Sequence, residues 1–396
     1  MAVKFTKPEI NVREKLAELD KPSGIAGEAM LRAETPQEQQ ALIGVGRRNL
    51  LINGDFKVSQ RGTSFTGLSN ANAYTCDRWK WEGSGNMAVT IEQSADAPNY
   101  FDKSIKVTVT TAESSIAATE FNQLLYQIEG QDIAPLAYGT GDAKPMVFSF
   151  WVKSSVTGSF PFSVQNQNGS RVFPSRYTVN SANTWEYKTI SIAGDIGGTW
   201  NTSGTALGLR FTFLWVSGSS YTGGIADGGW KATSSYVNLT STYTAPINTA
   251  NATLQITGIQ LELGKVATPF EHRSYGEELA LCQRYCYVMG TPSVSTNDLF
   301  AVGTGNGTGT ATTYHLHPVE MRARPTLAYS ALADFAVYNF GTSGQLGAPT
   351  AISIITSIAT KTWSYVDYAR SGTTTGNAIM IRAANTSTKL IFSAEL

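Results

Sequence analysis

Residues Ile256–Tyr285 read ITGIQLELGKVATPFEHRSYGEELALCQRY, and the period of the pattern changes part-way along. From Ile256 to Leu263 the residues alternate. Ile259, Leu261 and Leu263 fall on one face, and Ile256, Gly258, Gln260 and Glu262 on the other, as a strand places them. Gly264 and Pro269 end the ladder. Ser274 followed by Glu277 is a capping box, in which hydroxyl and carboxylate each satisfy a backbone N–H left open at a helix start. Leu279, Leu281, Cys282, Tyr285 and Cys286 then form an apolar stripe, which predicts a helix over Ser274–Tyr287 with both cysteines on its buried face. Strand, break and capped helix together predict a hinge between two β modules, built of joinery rather than binding surface.

Upstream, Arg47 to about Arg273 reads as β throughout. Strands are predicted at Met87–Gln93, Ser104–Val109, Met146–Val152, Phe160–Gln165, Glu186–Ile192, Ala206–Trp215 and Thr253–Leu263, separated by Gly, Asn, Asp and Pro clusters. MVFSFWV at Met146–Val152 is apolar on both faces, which suits a mid-sheet strand of a sandwich. Downstream, strands return at Leu299–Gly303, Thr312–His317, Thr326–Ser330, Ile352–Ala359, Trp363–Ala369, Ala378–Ala383 and Lys389–Ala394. Gly303–Thr313 reads as a flexible loop or wide hairpin. No fixed-period repeat supports a solenoid or propeller.

The first 48 residues differ in composition: 15 are charged, against 45 of the remaining 348. Asn11 with Glu14, and Thr35 with Pro36, mark two short helix starts around the breaker Lys21-Pro22-Ser23-Gly24. This arm holds too little apolar surface to fold alone, so it reads either as a disordered tail or, given its two capped starts, as a segment that Phe5, Ile10, Leu16, Leu19, Leu31 and Leu42 dock on another body. The whole reads as mainly β. A helical or extended arm (1–48) leads to a β-sandwich or jelly roll (49–273), and a linking helix opens a smaller C-terminal β-sandwich domain (274–396).

Thirty basic and thirty acidic side chains cancel, so no net field draws the 396-residue chain to nucleic acid. No run of eighteen apolar residues occurs, so no membrane insertion is expected, and the charged N-terminus lacks a signal-peptide core. Three cysteines make no disulfide framework. No nucleophile elbow, phosphate loop or zincin motif is present, so the reading is of a protein that is not an enzyme. The alternatives to a binding role are degradation of polysaccharide, which needs a placed carboxylate pair, and a purely structural, decorating role without receptor binding.

Several segments together carry a family resemblance. Arg48–Phe56 (RNLLINGDF), Asp77-Arg78-Trp79, Phe148–Ser154 (FSFWVKS), Trp185 before a strand and Ile259–Glu262 resemble a carbohydrate-binding-module-like jelly roll. Ala267–Ser274 (ATPFEHRS), continuing through Gln283-Arg284-Tyr285, resembles tail fibre proteins of tailed bacteriophages. Val319–Thr326 with Ser393–Leu396 is similar to their distal domains, and the arm looks like the attachment segment of cyanophage-type podovirus fibres. The resemblance implies a virion tail fibre made in the host cytoplasm, usually a homotrimer. It implies anchoring to tail adaptor or nozzle proteins through the arm and presentation of β domains to a host cell-surface glycan.

Sugar binding needs exposed aromatic platforms. Trp200, Tyr221, Trp230, Tyr236 and Tyr243 lie in Gly/Ser/Thr/Asn-rich segments and are the candidates, whereas Trp79, Trp151 and Trp185 read as core or subunit-interface residues. Jelly rolls of the resembled type often hold a structural calcium ion, for which Asn53, Asp55 and Glu262 are the candidate ligands; Thr257-Gly258 stands where an acid is common, and Asp55 reads more simply as a turn residue. His315 and His317 share a strand face. They could meet on a threefold axis as a metal site, but read more simply as two partly exposed histidines.

Overall fold

The computed structural model describes residues 48–396 apart from 114, 222–227, 233–248, 291–294, 308 and 343. The arm with Phe5, Ile10, Leu16, Leu19, Leu31 and Leu42 lies outside the described residues, as do Tyr236 and Tyr243. The first β layer pair comprises β1 (Ser64–Ser69), β2 (Asn72–Tyr74), β3 (Trp79–Gly83), β4 (Ala88–Ser94), β5 (Ser104–Thr111), β6 (Phe121–Glu129), β7 (Met146–Ser154), β8 (Gly158–Asn166), β9 (Arg171–Val179), β10 (Glu186–Ile192), β11 (Leu207–Ser217), β12 (Lys231–Ala232) and β13 (Thr253–Leu263). One sheet runs β1-β4-β5-β13-β7-β10 and the other β12-β9-β8-β11-β6-β3-β2. The chain crosses repeatedly between the two, the jelly-roll form of sandwich expected from the sequence. Phe148 and Phe150 of one sheet meet Phe162, Phe211 and Phe213 of the other, with ring centroids 4.6–5.9 Å apart from Phe148.

β13 does not keep the parity its sequence predicts. Leu254 and Ile256 face the core, and so do Ile259 and Leu261. The switch is a β-bulge: Thr257 lies opposite Trp151 of β7, but Gln260 lies opposite Ser149, one residue late. Gly258 sits in the bulge at φ +61, and a Cβ there would come within 2.6 Å of the Phe101 ring. The extra residue keeps both apolar pairs inside and turns Gln260 and Glu262 outward, where the 264–273 segment covers them.

The linking helix spans Tyr275–Gln283, and its Ser274/Glu277 capping box is formed. It ends before the predicted Tyr287, and Cys286 instead opens β14 (Cys286–Gly290). Pairing of β14 with β23 (Lys389–Ser393) outcompetes a stripe that buries only Glu278 and Cys282 on the helix. Cys282 and Cys286 are therefore both buried thiols, but on different elements.

The remaining strands are β15 (Leu299–Asn306), β16 (Thr310–Leu316), β17 (Thr326–Tyr329), β18 (Phe335–Asn339), β19 (Gly344–Gly347), β20 (Ala351–Ile354), β21 (Trp363–Ala369) and β22 (Ala378–Ala383). They form sheets β14-β23-β17 and β19-β18-β22-β15-β16-β21-β20, packed over Phe300, Phe335, Tyr368, Ile379, Ile381 and Phe392. Most of the Gly303–Thr313 run is strand in the β15–β16 hairpin.

Residues 49–396 group as one compact unit, and the predicted hinge is a buried seam. Arg78, at φ +74 and 2% exposed, bonds Glu395 and the Gln127 carbonyl (2.6 Å) and lies 3.5 Å over the Tyr285 ring. Arg61 reaches the same Glu395 at 3.1 Å. Glu129 accepts Arg284 (3.0 Å) and the Tyr285 hydroxyl (2.5 Å), and Arg322 donates to the carbonyls of Ala394, Glu395 and Thr205. Burial opposes the Arg78 charge, yet Glu395 and the surrounding tyrosines hold its pKa well above the ordinary value. Cys282 of the helix and Tyr285, two residues past its end, join a small core with Ile52 and Val58, so the N-terminal edge of the sandwich and the linker are one packed joint.

Candidate aromatic cleft

On β7, Met146, Phe148, Phe150 and Val152 point into the core, which leaves Ser149, Trp151 and Lys153 on the outer face of the sheet. Tyr187 of β10 lies directly opposite Trp151, and the two rings are 5.4 Å apart at 51°. Tyr187 is 44% exposed. Two segments rise beside this pair. One is the β4–β5 loop at 99–101, tied down where Thr257 Oγ1 donates to the Lys103 carbonyl at 2.6 Å. The other is 267–272 of the linking segment. Phe101, Phe270 and His272 stack against one another across them, with centroids 4.9–5.3 Å apart.

Together these enclose a cleft of about 650 Å³. Its floor holds Ser149, Trp151 and Gly258, and its walls carry Tyr100, Tyr187, Phe270 and His272. Aromatic faces, hydroxyls and a ring nitrogen are the chemistry of stacking and directed hydrogen bonding. The linking segment is thus only partly joinery. Arg273 holds the Leu51 and Asn49 carbonyls (3.0 and 2.8 Å) and Glu278 takes the Asn53 N–H, while Phe270 and His272, just before them, line the cleft. Beside the cleft, Trp185 donates to Asp96 (3.2 Å), and Lys153 bonds Asp96 and lies 5.3 Å over the Trp185 ring.

The aromatic residues singled out from sequence lie elsewhere. Trp200 is only 8% exposed: its Nε1 donates to Asp195 (3.0 Å), itself held by Arg171. Trp230 packs edge-on to Trp200, Tyr138 and Phe173 and donates to the Ala193 carbonyl at 2.6 Å. The glycines around them are turns that let these rings fold inward, so neither presents a platform. Tyr221 leans on Phe121 and Leu214 at the far sheet. Trp79 is fully buried, as read; Trp151 and Trp185 are not core residues.

The calcium candidates do not converge. The Asn53 amide is spent on Val58 and Asp77 backbone groups, Asp55 pairs with Lys57 at 2.8 Å, and Glu262 accepts from Thr268 and Gln260. Among the described residues no group of three His, Cys, Asp or Glu could hold a metal ion. His315 and His317 are not partly exposed: they are 4% and 5% exposed, bonded to Thr313 (2.8 Å) and Ser364 (3.0 Å) and packed on Phe392. Strand parity at β16 aims His315 into the distal core, where Ala311 and Thr313 of the same face are buried too, and His317, one residue past the strand's end, continues the alternation.

The fold and the cleft define a β-sandwich protein with an aromatic surface cleft. No protein-family model matches the chain, and no curated protein sequence matches it. Among solved structures it is similar to the enzymatically active domain of bacteriophage CBA120 tailspike protein 4, with 14% identity over 50% of this chain, 21% of that chain and a TM-score of 0.30. The chain thus spans about a fifth of that tailspike's length. It is also similar to the CBM22-1 xylan-binding domain of Paenibacillus barcinonensis Xyn10C (12% identity, 56% of this chain, 100% of that chain, TM-score 0.26). A third is the family 61 carbohydrate-binding module TmCBM61 in complex with β-1,4-galactotriose (10%, 55%, 99%, TM-score 0.28). At these identities and scores the likeness says nothing of what the cleft binds.

Proposed function

We propose that the chain is a tail-fibre adhesin of a bacteriophage that binds a host cell-surface glycan in the cleft around Trp151 and Tyr187. The observation that carries this is the cleft itself, with half-buried Trp151 and exposed Tyr187 paired on a sheet face and flanked by hydroxyl groups and an imidazole. Pyranose rings present C–H faces that pack on such rings, and their hydroxyls take up the polar rim. The full chain should bind host cells or their extracted surface polysaccharide, and Trp151→Ala should abolish binding without altering the circular dichroism spectrum. Unchanged binding by that variant overturns the assignment of the cleft.

The rest of the proposal follows the family resemblance. The arm anchors the fibre to tail adaptor or nozzle proteins, the chains assemble as a homotrimer, and the protein acts by binding rather than by catalysis. Deleting residues 1–48 should abolish incorporation into particles while the β body stays folded; retained incorporation refutes anchoring. New reducing ends after incubation with host polysaccharide would favour the degrading fibre instead. One observation favours contact with other protein chains: the outer face of the distal sheet exposes Tyr314, Leu316 and Val302 beside Trp363 and Tyr365. A light-scattering mass equal to one chain would remove the trimer.

A further inference from the structure

Tyr100 breaks two local rules at once. It is 92% exposed, so its ring gains nothing from the core. Its backbone sits at φ +75, the left-handed region that disfavours a bulky side chain. The Phe101 N–H donates to the Pro98 carbonyl at 3.1 Å, which closes a four-residue turn with Asn99 and Tyr100 at its centre. The second central position of such a turn, when φ is positive, is ordinarily Gly or Asn. Asn99 stands one place too early to relieve it. The turn cannot relax by rotating, because Phe101 is wedged against Phe270, His272 and the Gly258 bulge. A strained residue held by its surroundings, with an exposed ring on the rim of a cleft, has the marks of a ligand-contacting position.

The cleft narrows the ligand as well. Its lining comprises aromatic, hydroxyl, amide, imidazole and small apolar groups, and among the described residues no Asp, Glu, Lys or Arg side chain lines it. A uronate or sialate carboxylate would find no ammonium or guanidinium group among these lining residues, and Lys153 beside the cleft is already paired with Asp96, so burying the carboxylate would be unfavourable.

Resting on the glycan reading above, we infer that Tyr100 is a specificity-determining clamp, closing over an uncharged pyranose ring that sits on the Trp151–Tyr187 pair. The fold holds this tyrosine against its backbone preference because the ring supplies a second stacking surface.

The test is paired measurement on the full chain of thermal unfolding and of binding to gluco-, galacto- and xylo-hexaoses, with oligogalacturonate as the acidic counterpart. Tyr100→Asn should leave the unfolding midpoint unchanged or raise it by about 1–3 °C, since Asn tolerates the left-handed region. The same variant should weaken binding of a neutral hexaose by about 3- to 10-fold, the size of one aromatic stacking contact. Tyr100→Phe should keep the affinity. A midpoint that falls with Tyr100→Asn, or an affinity that does not change, overturns the clamp. Loss of binding in Trp151→Ala alongside full binding in Tyr100→Asn would sink the clamp and leave the cleft standing. Tighter binding of oligogalacturonate, or no binding of any neutral hexaose, overturns the uncharged-ligand inference.

Discussion

Acidification should destabilise the protein through two buried histidines. Burial pushes the pKa of His315 down to about 4, helped by the neighbouring His317, and burial pushes His317 to about 4 as well. Both are therefore neutral in the fold, whereas in the unfolded chain they protonate near the ordinary value of about 6.5. Their contribution is fully present above pH 6.5 and is lost as the pH falls toward 4, because the unfolded state then binds more protons. For His315, a shift of this size gives a loss of about 2 kcal/mol between pH 7.5 and pH 5. His317 stands just past the end of β16, so about half that is assigned to it, for a total of about 3 kcal/mol. Carboxylates also titrate, some in the opposite sense: burial raises Asp77 and Glu278, which favours the fold on acidification. The assay is therefore a difference. Urea unfolding of the full chain and of the His315→Gln/His317→Gln variant is followed at both pH values. The variant should lose about 3 kcal/mol less than the parent between them. Equal losses would refute the claim that these imidazoles are buried neutral in the distal core.

Three further outcomes test the remaining argument. Glu395→Gln should destabilise the chain by about 3–5 kcal/mol in urea, because it leaves the Arg78 guanidinium buried without its carboxylate; a loss below about 1 kcal/mol would refute the seam. Gly258→Ala should cost about 1–3 kcal/mol and weaken glycan binding, since its Cβ collides with Phe101 beneath the cleft; unchanged thermal unfolding would show that the bulge is not required. Treatment with EDTA should leave the unfolding midpoint where it is, because Asn53, Asp55 and Glu262 are held by protein partners; a fall reversed by added calcium would restore the metal reading.

What the sequence makes legible follows from how far each signal reaches. β7, β10 and β13 are readable because alternation and turn residues are local, and Glu186–Ile192 and Thr253–Leu263 are predicted to the residue. β6 is not readable. FNQLLYQIE carries Asn122, Gln123 and Gln127 among its apolar residues. They are tolerated because the strand lies inside its sheet and its polar side chains find partners such as Glu82, reached by Gln123 at 2.8 Å. The capping box is local and forms, whereas the helix end is set by a strand partner more than a hundred residues away.

The cleft was hidden for the same reason, and more deeply. Trp151 and Tyr187 are 36 positions apart in sequence and become a pair only through the β7–β10 register. The one-residue slip at Gly258 decides what the floor presents between β7 and the linking segment. Read without the bulge, Gly258 shares a face with Gln260 and looks like an interruption in a strand. With it, the apolar side chains on both sides of the slip stay inside, and the freed outer face is where Phe101 packs and Trp151 lines the cleft. Glycine-rich context marked Trp200 and Trp230 as exposed, but a glycine only permits a turn; Asp195 and the Ala193 carbonyl decide that these turns fold the indoles inward. Exposure on a sheet face is instead signalled by polar neighbours two positions away along the strand. Ser149 and Lys153 flank Trp151 in that way, against Phe148, Phe150 and Val152 on the other side, so the decisive signal was present in FSFWVKS and lay in its parity.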